Sequence, residues 1–189
     1  MAAFVSLFDA CVLYPAPLRD LLISLAQTGL FRARWTEKIH DEWTRNLLKN
    51  RPELREEALK RTRELMNAAV PDCVITGYEP IIESLILPDP DDRHVLAAAI
   101  RGHAAVIVTY NLKDFPEEVL KPFDIAVEHP DQFISNLFDL HTPAVTVAVR
   151  DMRARLKNPP RSVEQLLDTF LATELAETVA QLNAMKELL

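Results

Sequence analysis

LPDPDDRHVLAAAIRGHAAVIVTYNLKDFP, residues 87–116, is the stretch on which the reading of the fold turns. Pro88 and Pro90 break the chain into an acidic loop, and RHVLAAAIRG then reads as a helix that Gly102 stops. Ala104 to Thr109 follows as a buried strand. Toward the amino terminus, Val5 to Phe8 is a short apolar run ending at Asp9, and Pro15 opens a helical pattern on Leu18, Leu21, Leu22, Leu25 and Ala26. Ala33 to Trp35 suggests a second strand. A helix from Thr36 brings Ile39, Trp43, Leu47 and Leu48 to one face, and Pro52 fits the first turn of the next helix. Cys73 to Thr76 and Ile125 to Val127 complete the expected strands, and Pro130 begins a helix through Phe133, Ile134 and Leu137. Such alternation predicts an α/β sandwich around a mostly parallel sheet.

The end of the chain reads differently. From Thr142-Pro143 onward there are only helical patterns, broken at Asn158-Pro159-Pro160, and Ser162 with Gln165 has capping-box spacing before Leu166, Leu167 and Phe170. The expected organisation is an α/β domain over 1–141 and an all-helical extension over 142–189. The extension is too short to fold securely alone, so it should pack on the first domain or on a partner.

Composition excludes several classes. A chain of 189 residues, 49% hydrophobic and 26% charged, describes one compact domain with a small appendage. Its two cysteines, Cys11 and Cys73, make neither a disulfide framework nor a zinc cluster. The apolar start, MAAFVSLFDACVLYP, has no basic leader and meets Asp9 too early to span a bilayer, so a cytoplasmic protein without membrane contact is expected. Three scattered glycines, Gly29, Gly77 and Gly102, exclude a P-loop and a GxGxxG dinucleotide turn. The net charge of −7 is uneven: Leu30 to Leu65 holds ten Lys/Arg against seven Asp/Glu, and Met66 to Pro143 holds four against thirteen. A basic stretch beside an acidic one suits a protein that grips a polyanion and a divalent cation, and equally suits solvated helix faces of opposite sign.

The candidate chemistry is a set of acids. Ligands of parallel α/β sheets bind beyond the carboxyl ends of the strands. Asp9 ends the first strand, Asp114 follows the AVIVTY strand, Asp92 opens the helix before it, and Glu42 lies one turn after Ile39. Mg²⁺ and Mn²⁺ take such hard oxygen ligands, and the wide spacing fits no local loop motif. His94, His103, His129 and His141 show no shared spacing that would mark a metal or acid–base role. Trp35, Trp43 and Cys73 read as core.

These residues carry a resemblance. The run at 87–116 resembles the carboxyl half of a PIN domain, FDACVLYP its first strand and first acid, and EKIHDEW the segment of its second acid. The resemblance covers about Met1 to Asn136 and implies a PIN-like three-layer sandwich. It further implies Mg²⁺-dependent, or Mn²⁺-dependent, endoribonuclease activity, of the kind that VapBC toxins exert until a cognate antitoxin restrains them. The helical extension, with RDMRARLKNPP, is similar to that of one branch of these toxins. By this likeness Asp9, Glu42, Asp92 and Asp114 are the catalytic acids. Asp9, Asp92 and Asp114 hold metal, while Thr109 and Asn111 contact water or phosphate. Asp89 and Asp91 become loop and cap residues. Two positions depart from the pattern: Asn111 stands where many members have the fourth Asp, and Cys11 where they usually show Asn, Ser or Thr. Arg45, Lys49, Arg51 and Arg55 are the expected RNA backbone contacts. Other readings are a PIN fold that binds RNA or protein without turnover, an RNA-processing nuclease that is not a toxin, and a phosphatase using Asp9 as nucleophile. The phosphatase commonly needs a second Asp where Cys11 stands. The apolar helical faces are compatible with a homodimer.

Overall fold

The computed structural model describes residues 3–189. Four parallel strands, β1 (Phe4–Phe8), β2 (Phe31–Arg34), β3 (Val106–Val108) and β4 (Ala126–Glu128), form a sheet in the order β2-β1-β3-β4. Alternation along the strands assigns each side chain to one of two cores. Phe8, Phe31, Ala33, Val106 and Val108 join one core, whereas Leu7 and Ile107 join the other. Helices therefore cover both faces, and the α/β sandwich expected from the alternation is the fold observed.

The first connection contains α1 (Ala10–Leu13) and α2 (Ala16–Ala26), and α2 packs on the Phe8 face. After β2, Thr36 accepts a hydrogen bond from the Ile39 N–H at 3.1 Å and so starts α3 (Glu37–Asn50), which buries Ile39 and Trp43. Next come α4 (Glu56–Ala69) and the short α5 (Glu79–Ile82). The helix read before the buried strand is α6 (Arg93–Arg101); Val95 to Ala99 are fully buried in the Leu7 core. Gly102 caps it where an added Cβ would press into Ile75. A short α7 (Glu117–Leu120) precedes β4.

Two sequence expectations need correction. Pro52 does not open the helix after α3: the chain turns there, and α4 begins only at Glu56 with Arg55 as its N-cap. Thr36-type capping is absent at Arg55, so proline position alone misplaced the start. Cys73 to Thr76 is not a full strand. Val74 makes a single parallel bridge to Trp35, through Trp35 N–H to Cys73 C=O at 2.9 Å and Ile75 N–H to Trp35 C=O at 2.8 Å. The left-handed turns at Asp72 and Gly77 flank this bridge and leave it no room to lengthen.

The carboxyl-terminal part is helical throughout: α8 (Pro130–Arg155), broken at the non-helical His141, then α9 (Val163–Leu171) and α10 (Ala176–Asn183). The capping box of Ser162 and Gln165 forms as read, with bonds of 3.0 and 3.2 Å. Leu166, Phe170, Leu175, Val179 and Leu182 belong to the same core as Phe8, Leu22 and Phe133. Among the described residues no helix is long and apolar enough to cross a membrane.

Candidate active site

The order β2-β1-β3-β4 sends the chain outward in opposite directions from β1 and β3, and a crevice opens beyond their carboxyl ends at that switch point. Asp9 follows β1 and Thr109 follows β3, so the two meet there. Asp9 N–H continues the ladder to Val108 C=O at 3.1 Å, which fixes where its side chain begins. That side chain is 5% exposed and accepts three hydrogen bonds: Ala10 N–H at 2.6 Å, Thr109 O–H at 2.8 Å and Cys11 S–H at 3.2 Å. Burial raises the pKa of Asp9, the three donors oppose that rise, and the charge of Glu42 adds to it.

Cys11 supplies a contact that the family pattern assigns to Asn, Ser or Thr. Burial, then the negative charge of Asp9, pushes its thiol up to about 12, so it stays protonated and able to donate. The same sulfur accepts from Tyr110 N–H at 3.3 Å.

Glu42, in the second turn of α3, reaches His94 of α6, with Oε1 to Nε2 at 2.8 Å. His94 is 2% exposed, and its Nδ1 is buried without a hydrogen-bond partner. The sequence reading gave this histidine no role. Its only advance signal was its place two residues after Asp92, with its partner on another helix.

Asp92 stands half-buried at the start of α6. Burial, followed by the charges of Asp9, Asp89 and Asp114, pushes it up to about 7, with His94 pulling the other way. Asp9, Glu42 and Asp92 line one cleft of about 590 Å³, together with Asp91 and Asn111. Asp114, at the end of a 3₁₀ turn (Leu112–Asp114), lies within electrostatic reach of Asp92 but off the cleft wall. Asp89 caps its loop by accepting Asp91 N–H at 2.8 Å.

Other expected site residues divide. Thr109 does not face water or phosphate: it is fully buried, and its hydroxyl donates to Asp9 and accepts Asn111 N–H at 3.0 Å. Of the four basic residues, Arg45 lines the cleft, whereas Lys49, Arg51 and Arg55 do not, and Arg51 is paired with Glu53. Lys49 follows Arg45 by one turn on the same face of α3, but at that level the cleft wall is made by Asn46 and Asn50, and the chain leaves α3 at Arg51. Lys38, one turn before Glu42, lines the cleft and was not anticipated.

Converging hard-oxygen donors suit a divalent cation chemically. Among the described residues no three His, Cys, Asp or Glu side chains group tightly enough to cage a metal. That arrangement fits Mg²⁺, which is commonly held by one or two carboxylates and keeps several waters. Asp9 and Asp92 are the pair that such an ion would neutralise.

A parallel sheet with acids gathered beyond β1 and β3 defines a class, and comparison with known families agrees with it. The PIN domain profile matches residues 6–113, and the chain belongs to the PIN domain family. The profile of the VapC50 C-terminal domain matches residues 130–184. A Mycobacterium tuberculosis (strain ATCC 25618 / H37Rv) protein named "Putative ribonuclease VapC50" is 44% identical over 93 residues, which is 49% of this chain and 52% of that protein. The chain thus spans about half the length of the curated relative it matches. No solved structure matches.

Proposed function

We propose that this protein is a divalent-metal-dependent endoribonuclease, working in the cytoplasm as the toxin of a VapBC-like pair with a cognate antitoxin. The observation that carries the reading is the meeting of Asp9, Glu42 and Asp92 in one cleft that Lys38 and Arg45 also line. The relative's name, ribonuclease VapC50, supports RNA as the substrate.

Each residue then has a task. Asp9, held by three donors, presents a carboxylate that cannot swing away. Glu42, held by His94, orients the attacking water, and Asp92 shares the cation with Asp9. Asp114 tunes Asp92 through its charge and can reach the cation through water. Arg45 and Lys38 bind the RNA backbone, with an affinity that falls as salt rises. When bound, Mg²⁺ or Mn²⁺ supplies positive charge to the scissile phosphate and lowers the pKa of a coordinated water. Because Cys11 donates to Asp9, its presence in place of the family's polar residue does not argue for a disabled site.

The test is cleavage of a labelled RNA pool by protein purified free of antitoxin, in Mg²⁺, Mn²⁺ or EDTA. Cutting that needs metal and is lost in folded Asp9→Asn and Asp92→Asn is expected. Equal cutting by the variants would overturn the site assignment. RNA binding without any cutting would favour a binding module.

A further inference from the structure

The acids make up only part of the cleft wall. Its long wall is α3, on which Lys38, Glu42, Asn46 and Asn50 recur every fourth residue and therefore project along one stripe. Lys38 and Glu42 have tasks in the reading above. Asn46 and Asn50 do not: both are exposed neutral amides lining the same cleft. A neutral amide cannot offset phosphate charge. What it offers is a donor and an acceptor side by side, which matches the edge of a nucleobase.

Tyr14 stands next to Asn50. It lines the cleft, and its hydroxyl accepts a hydrogen bond from Asn50 Nδ2 at 3.0 Å. The bond orients the Asn50 amide and places an aromatic side chain beside it. A volume of about 590 Å³ exceeds what one phosphate and a hydrated cation fill and leaves room for a nucleoside. Unpaired RNA bases are recognised by this combination, amide hydrogen bonds to the base edge beside an aromatic face.

We propose that Asn46, Asn50 and Tyr14 form a nucleobase subsite that reads one unpaired base next to the scissile phosphate. This inference rests on the nuclease reading and deepens it: the substrate is single-stranded RNA cut with a base preference that α3 imposes. Double-helical RNA is disfavoured, because its base edges are engaged in pairing.

The experiment maps cut sites on a random single-stranded RNA pool with Mg²⁺, for the wild type, Asn46→Ala, Asn50→Ala and Tyr14→Phe. The readout is the base preference at positions flanking the cut, a ratio internal to each variant and independent of its overall rate. The wild type should favour one base by about tenfold or more, the discrimination of one bidentate amide contact. Asn46→Ala and Asn50→Ala should flatten it, with Tyr14→Phe intermediate. No wild-type preference, or one kept by both alanine variants, would overturn the subsite. Absence of any cutting would sink the nuclease reading instead. In that event, anisotropy of fluorescein-labelled hexamers of U, C and A in EDTA decides the subsite alone. Base-dependent binding lost in the alanine variants supports it, and base-independent binding overturns it.

Discussion

At the residue scale, the site depends on hydrogen bonds from positions both near and far in the chain. Asp9 keeps its orientation through Thr109, at the end of another strand, and Cys11. Cys11→Ser should preserve cleavage within about threefold because the hydroxyl donates as the thiol does, whereas Cys11→Val should cost roughly 10- to 100-fold, as loss of an outer support for a metal ligand does. Similar losses in both variants would mean that size, not donation, matters. His94 makes a parallel case. His94→Leu should lower kcat by a comparable factor while leaving the protein folded, and His94→Gln, whose amide can still reach Glu42, should recover part of it.

Asp92 contributes to the pH response of the metal-free protein. Its carboxyl ordinarily titrates near 3.8 and is pushed up to about 7 here, so folding favours the protonated form. The stability this group contributes is full below about pH 3.8 and is lost as pH rises through about 7. The Tm measured in EDTA should therefore fall as pH rises from about 4 to about 7 and level off above that. Mg²⁺ should raise Tm at pH 8 more than at pH 5, and Asp92→Asn should make the fall shallower. A flat Tm across that range in EDTA would contradict this account.

At the element scale, the two helix starts of the extension show two kinds of cap. Ser162 and Gln165 cap α9 within four residues, and that box was legible from spacing. The start of α10 has no cap of its own: Asp131 of α8, buried, accepts Glu177 N–H and Thr178 N–H, each at 2.8 Å. Nothing local marks that partnership, which exists because α8 and α10 pack together. Asp131→Ala should cost about 2 kcal/mol, the upper end for a lost N-cap, because two amides lose their partner and that of Thr178 stays buried. For a chain of this size that is a fall of roughly 4–8 °C in Tm by calorimetry. The turn between α9 and α10 is also tied to the carboxyl end of β3, where Tyr110 O–H donates to Thr173 C=O at 2.7 Å. The tie lies between Thr109 and Asn111, so the extension braces the loop that holds Asp9.

At the whole-molecule scale, the extension is part of the main core. Leu166, Phe170, Leu175, Val179 and Leu182 each bury on the order of 1.5–3 kcal/mol of apolar side chain, and their sum is comparable with the roughly 5–15 kcal/mol by which folded domains are stable. We propose 1–141 and 142–189 as units of sequence, and we expect that the first does not fold alone. A chain ending at residue 141 should be insoluble, or should lack cooperative thermal unfolding. A soluble truncated chain with a sharp transition would show an independent domain.

What the sequence alone determined were features set by neighbours along the chain. The apolar runs of β1 and β3, the helix stopped at Gly102, the capping box and the acids at strand ends follow from local periodicity and turn chemistry, and that pattern carried the family resemblance. Where local signals compete, as at Pro52 and at Cys73 to Thr76, the pattern misplaced the boundary. The tertiary structure alone decided which side chains meet: His94 with Glu42, Thr109 with Asp9, Asp131 with α10, and Arg45 at the cleft rather than Arg51. These contacts join elements that lie far apart in the chain. A hydrogen bond needs its partners within about 3 Å, and only the packed sheet and helices bring them there.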